Sequence, residues 1–77
     1  LTLTWSYRIL KRGDGTYALH EVYFDGHGNV DGWTEEPITF EVDPNEGKAG
    51  ILQELAHALG DALRHDVIDV SKLENHA

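Results

Sequence analysis

From Leu3 to Lys11, apolar and polar positions alternate. Leu3, Trp5, Tyr7 and Ile9 share one face, and Thr4, Ser6, Arg8 and Leu10 the other. A period of two over this length predicts a half-buried strand. Gly13-Asp14-Gly15 follows, turn chemistry in which positive φ is cheap for glycine and tolerable for aspartate. Tyr17 to Phe24 reads as the second strand. A two-residue loop at Asp14-Gly15 sets Trp5 against Phe24, Tyr7 against Val22, Ile9 against His20, Arg8 against Glu21 and Leu10 against Leu19. That register joins aromatic to apolar and cation to carboxylate, as cross-strand neighbours favour. A three-residue loop sets Tyr7 against Glu21, so the first register is expected.

Asp25-Gly26-His27-Gly28-Asn29 predicts a second hairpin turn, and Val30 to Thr34 a third strand weakened by Gly32. Glu36-Pro37 breaks the path, since proline removes a ladder donor. Ile38, Phe40 and Val42 then alternate with Thr39 and Glu41 as a fourth short strand. Asp43-Pro44-Asn45-Glu46 places Asp at a cap, Pro at the first helical position and Glu at the third, a helix start. Gly47 moves the regular helix toward Lys48. Ile51, Leu52, Leu55, Leu59, Ala62 and Leu63 form one apolar stripe, with Gln53, Glu54, His57, Asp61 and Arg64 away from it. Val67, Ile68 and Val70 offer an edge strand or an extended segment beside the helix. The predicted fold class is α+β: an antiparallel β-meander of three to four strands with one long amphipathic helix packed on one face, in a single domain spanning 1–77.

At 77 residues the chain buries only about 60–65% of the surface its unfolded form exposes. A second copy, or another partner, covering an exposed face would add to that. There is no cysteine, so neither a disulfide framework nor a thiolate metal site is available. No apolar run approaches the roughly 18 residues of a membrane span. The opening LTLTWSYR lacks a basic segment followed by an apolar core and reads as a strand rather than a leader.

The net charge of −8 is unevenly placed. From Gly13 to Gly47 there is no Lys or Arg but nine acids: Asp14, Glu21, Asp25, Asp31, Glu35, Glu36, Glu41, Asp43 and Glu46. Nucleic-acid binding relies on neutralising phosphates with basic side chains, so direct nucleic-acid binding is not expected. A basic protein surface would be attracted instead.

Candidate chemistry changes the picture little. His20-Glu21 begins like a zinc-protease motif, but position 24 is Phe, and on a strand the two side chains point to opposite faces. Glu21 is expected to pair with Arg8, and His20 to sit at the core edge. Asp25 to Glu36 faintly resembles a calcium loop, but His27 and Val30 stand where an acceptor and a glycine are needed. His57, Asp61 and His65 recur at four-residue spacing on the polar side of the helix, where a weak metal site is an alternative to a solvated face. No nucleophile set and no phosphate loop emerges, so neither enzymatic activity nor a cofactor is expected. Trp33 beside Glu35 and Glu36, at a strand end, suggests an interface anchor or pocket wall.

Tyr7-Arg8, Gly15-x-Tyr17-x-x-His20-Glu21-Val22-Tyr23-Phe24-Asp25, Gly28 and Trp33-Thr34-Glu35-x-Pro37, followed by an amphipathic helix and a short apolar tail, together resemble a group of small bacterial and phage proteins. The resemblance covers most of the chain and departs at Phe24, where Tyr is usual. It implies a cellular setting, cytoplasmic and often phage-related, and no mechanism.

The function expected from these features is a non-enzymatic interaction module for a basic protein partner, of the kind that imitates or displaces a nucleic acid. Trp33, Glu35, Glu36, Tyr23 and His20 are its binding candidates, and homodimerisation is compatible with it. The alternative is a small-ligand binder, for a metabolite or nucleotide, with Tyr17, Tyr23, Trp33 and His20 lining a pocket.

Overall fold

The computed structural model of the protein describes residues 3–74. Strands β1 (Thr4–Lys11) and β2 (Tyr17–Phe24) form where the alternation places them. The loop between them, closed by Arg12 and Thr16, holds three residues, Gly13-Asp14-Gly15, not two. The Arg12 N–H donates to the Thr16 carbonyl at 2.8 Å and the Gly15 N–H to the Arg12 carbonyl at 2.9 Å. Gly15 takes φ +89°, and the Asp14 carboxylate accepts both the main-chain N–H and the hydroxyl of Thr16.

This loop overturns the expected register. Tyr7 lies opposite Glu21, Arg8 opposite His20 and Leu10 opposite Ala18. The expected Arg8–Glu21 ion pair is not among those of the described residues, and Glu21 instead accepts the Tyr23 hydroxyl at 3.2 Å. A three-residue loop closed by a left-handed glycine fixes the register of a hairpin. The cross-strand pairs it sacrifices contribute only about 0.2–1 kcal/mol each.

The second hairpin repeats the device. Asp25 N–H donates to the Asn29 carbonyl at 2.9 Å, and Gly28, at φ +83°, donates to the Asp25 carbonyl. The Asp25 carboxylate is occupied by the N–H groups of Asn29 and then His27, which hold its pKa below the usual range. This is a hairpin turn, as weighed against the calcium loop. Strand β3 (Val30–Trp33) pairs with β2 through Val22–Trp33, Tyr23–Gly32 and Phe24–Val30, with Asp31 the extra residue of a bulge.

The strand expected over Ile38 to Val42 does not form. After Pro37 only the Ile38 N–H returns to the sheet, donating to the Leu19 carbonyl at 2.9 Å. Phe40 turns onto Tyr7, with ring centroids 6.2 Å apart, and Val42 packs on Gly50. Helix α1 (Gly47–Arg64) then begins after a turn in which the Asp43 N–H donates to the Glu46 carboxylate at 3.2 Å. Gly47 sits at φ +53°.

The fourth strand is β4 (Ile68–Asp69), followed by the short helix α2 (Val70–Glu74). It runs parallel to β1 beside Leu10 and Lys11. The order is therefore β3-β2-β1-β4, a mixed sheet rather than an antiparallel meander, though still α+β. Parallel pairing needs a crossover, and α1 supplies it. Leu10, Val22 and Val70 form the buried cluster, with Phe24, Val30, Trp33 and Ile68 packed around it. Helix α1 lies on the opposite face of the sheet, over Trp5 and Tyr7.

Candidate functional site

Helix α1 docks by its polar side. Its buried positions are Gly50, Ala58 and Asp61. In the ladder with β2 the even positions of β1 point inward, so the N–H of Tyr7 faces the other way, where β4 covers only Leu10 and Lys11. The Asp61 carboxylate fills that gap, accepting the Tyr7 N–H at 2.9 Å. Its other oxygen pairs with Arg64, and His57 approaches at 3.3 Å. About two turns earlier on α1, Glu54 accepts the Tyr7 hydroxyl at 2.9 Å. The His57 ring packs edge-on against Tyr7 and tilted against Trp5, with centroids 5.1 and 5.6 Å away.

The contacts of this cluster tie α1 to β1. Burial, and then the hydrogen bond and negative charge of Glu54, push the Tyr7 hydroxyl up to about 12, which keeps it protonated near neutrality as the donor to Glu54. His57 and Asp61 touch at 3.3 Å, with the His57 ring against those of Tyr7 and Trp5. His65 is exposed in extended backbone past the end of α1. No group of three or more His, Cys, Asp or Glu side chains among the described residues is placed to hold a metal ion.

The binding residues expected from the sequence are separated by the fold. His20 is buried at 1% exposure, its Nδ1 donating to the Thr34 carbonyl at 2.9 Å, and its Nε2 has no partner. Trp33 is half-buried on the same face and packs against the Leu10–Val22–Val70 cluster. Tyr23 stands on the opposite face, bonded to Glu21. Tyr17 is exposed at the start of β2. His20, Trp33, Tyr23 and Tyr17 therefore share no pocket. Glu35 and Glu36 are exposed in the bend that follows β3.

Among the described residues, three surfaces stand open. Seven of the nine acids between Gly13 and Gly47 are exposed, all but Glu21 and Asp25. Glu41, Asp43 and Glu46 line one shallow depression with Val42. A second concavity is lined by Thr4, Trp5, Ser6, Arg8, Phe24, Gly28 and His65. The Arg8 guanidinium lies 5.2 Å from the Phe24 ring centre, and its Nε is buried without a hydrogen-bond partner. Burial lowers the Arg8 pKa, against the opposing pull of Asp61 and Asp66.

The third surface is the apolar face of α1. Leu52, Leu55, Leu59 and Leu63 are 52%, 45%, 61% and 77% exposed. The stripe expected to pack on the sheet points away from it instead. Sequence periodicity identified the stripe correctly but not its partner. The missed signal was Glu54 and Asp61, seven residues apart on the opposite side, where β1 offers a hydroxyl and an unpaired N–H.

Comparison with protein-family models, with curated proteins and with solved structures returns no match. The resemblance to small bacterial and phage proteins therefore rests on its motif residues alone.

Proposed function

We propose that the chain is a non-enzymatic interaction module whose acidic surface receives a basic protein partner. The observation that carries this reading is the segment from Gly13 to Gly47, free of Lys and Arg, with seven exposed carboxylates. Such a surface raises the encounter rate with a cationic partner and repels nucleic acid. Glu35 and Glu36 beyond β3, and the depression of Glu41, Asp43 and Glu46, are its recognition points. Trp33 contributes by holding the end of β3 on the core rather than as an exposed anchor.

The test is affinity capture from lysate, repeated with a variant carrying E35Q, E36Q, E41Q, D43N and E46Q. The expected result is a basic protein retained by the native chain at low salt, weakened at moderate salt and lost with the variant. Retention indifferent to both salt and the substitutions would remove this reading.

The Arg8 concavity favours a second reading, a site for a small anionic ligand. Its guanidinium has no ion pair among the described residues; it lies over the Phe24 ring, and Thr4, Ser6 and His65 line the same concavity. Thermal stabilisation that grows with the concentration of an aromatic carboxylate or a nucleotide, and is absent in Arg8→Gln, would support it.

A further inference from the structure

We infer that the open leucine face of α1 pairs with the same face of a second copy, the two helices running antiparallel. At 100° per residue, Leu52, Leu55, Leu59 and Leu63 fall within an arc of about 80° along a helix about 27 Å long. Leu52, Leu55, Leu59 and Ala62 occupy successive seam positions of a heptad, with Leu63 beside them. A continuous exposed leucine stripe on a helix marks an association surface.

Charge identifies the occupant. The chain carries 14 acids, yet none lies on this face. The only acids of α1, Glu54 and Asp61, are turned to Tyr7 on the sheet side. A basic partner would find no carboxylate here. A second copy suits it: a two-fold pair sets this patch against itself, and an acid-free leucine face brings no carboxylate into apolar surroundings when it does so. The shoulder of the stripe is Ala49, Ala56 and Gly60, small residues that let two helices approach.

Lys48 gives the direction. It lies in line with the stripe in the first turn of α1, a turn that contains no acid. There its charge opposes the positive end of the helix dipole. Running the second helix antiparallel, with Leu52 against Leu59, sets each Lys48 over the last turn of its partner, where carbonyl oxygens point outward and a cation is favoured. Two such faces bury on the order of 1,000 Å² in total, the lower end for specific interfaces, so the pair is concentration-dependent rather than obligate.

The test is sedimentation equilibrium of the full chain across a series from micromolar to millimolar. The expected mass rises from one chain to two. The variant L55E/L59E stays monomeric, with its dissociation constant weakened at least about a hundredfold. Its circular dichroism at the lowest concentration matches the native chain, because both side chains are exposed in the monomer. Lys48→Glu, which keeps every leucine, weakens the pair several-fold. Because the chain has no cysteine, single replacements report the direction. Ala56→Cys, near the two-fold axis, forms a disulfide dimer, whereas Ala49→Cys does not, its two copies being about 20 Å apart along the axis. A single-chain mass up to millimolar, pairing by L55E/L59E equal to the native chain, crosslinking of Ala49→Cys as readily as Ala56→Cys, or leucine-dependent binding of the monomer to phosphatidylcholine vesicles would each overturn the proposal. The pure chain suffices, so the result is independent of the basic partner.

Discussion

The carboxylate of Asp61 caps the main-chain N–H of Tyr7 at 2.9 Å, across 54 positions of sequence. The bond replaces one that a neighbouring strand would make, so the helix closes the edge of β1 beyond the reach of β4. Both groups are buried, and a buried donor left alone costs about 1–3 kcal/mol. Asp61→Ala is therefore expected to lower unfolding stability by about that amount in urea. Asp61→Asn keeps an oxygen for the N–H and is expected to recover most of the loss. Amide hydrogen exchange gives the specific check: the Tyr7 N–H is protected in the native chain and exchanges faster in Asp61→Ala. Equal protection in both would refute the cap.

Gly50 marks the other fixed point of α1. A Cβ there would lie 2.7 Å from the Glu46 Cβ and 3.2 Å from both Val42 methyls. Alanine improves helix propensity by about 1 kcal/mol. Overpacking against atoms this near the backbone costs about 1–3 kcal/mol, so the two effects oppose. Gly50→Ala is expected to be net destabilising, and Gly50→Ala with Val42→Ala less so than the sum of the single changes. A thermal melt series over the three variants checks the coupling, and strict additivity would show that the two residues do not touch.

The extent to which this fold was legible depends on range. Strands β1 and β2, the two glycine turns and helix α1 were readable because their causes are local: alternation, positive φ and apolar spacing. The register was not, because side-chain complementarity suggested one pairing while Gly15 and the Asp14–Thr16 bonds imposed another. β4 pairs over only two residues, too short for any periodic signal. The helix face was misread because an apolar stripe says what is hydrophobic, not what covers it. Among the candidate binding residues, Glu35 and Glu36 are exposed as acids in a bend should be, whereas Trp33 and His20 were claimed by a core too small to spare them.

The hairpin loops make a matched pair. Gly15 and Gly28 occupy the same position of the same loop type at φ +89° and +83°, each with open space where a Cβ would stand. Any cost of substitution is thus conformational rather than steric contact with neighbours. Gly15→Ala and Gly28→Ala are each expected to destabilise by about 1–2 kcal/mol, and the corresponding Asn variants by less, since Asn tolerates the left-handed region. Gly13, also open but without positive φ, is the control, and Gly13→Ala is expected to be close to neutral. Chemical denaturation of the five variants checks this; a loss at Gly13 equal to that at Gly15 would contradict the loop assignment.

Tyr7 makes the fold sensitive to alkali. Its hydroxyl titrates near 10 in the unfolded chain and is pushed up to about 12 in the fold, by burial first and then by Glu54. The folded state therefore holds this proton over a pH range in which the unfolded state has released it. Stability from this group is fully present below pH 10 and is lost as pH rises through 12, amounting to about 2–3 kcal/mol in all. In Tyr7→Phe this part of the loss is absent, although the variant starts less stable near neutrality because the Glu54 bond is gone. Tyr23, raised in the same direction by burial and by Glu21, remains in both proteins, so the difference between their curves isolates Tyr7. Urea unfolding between pH 8 and 12, with tyrosinate absorbance followed in parallel, checks the window. Parallel stability curves for the two proteins above pH 10 would rule out the buried Tyr7–Glu54 contact as its cause.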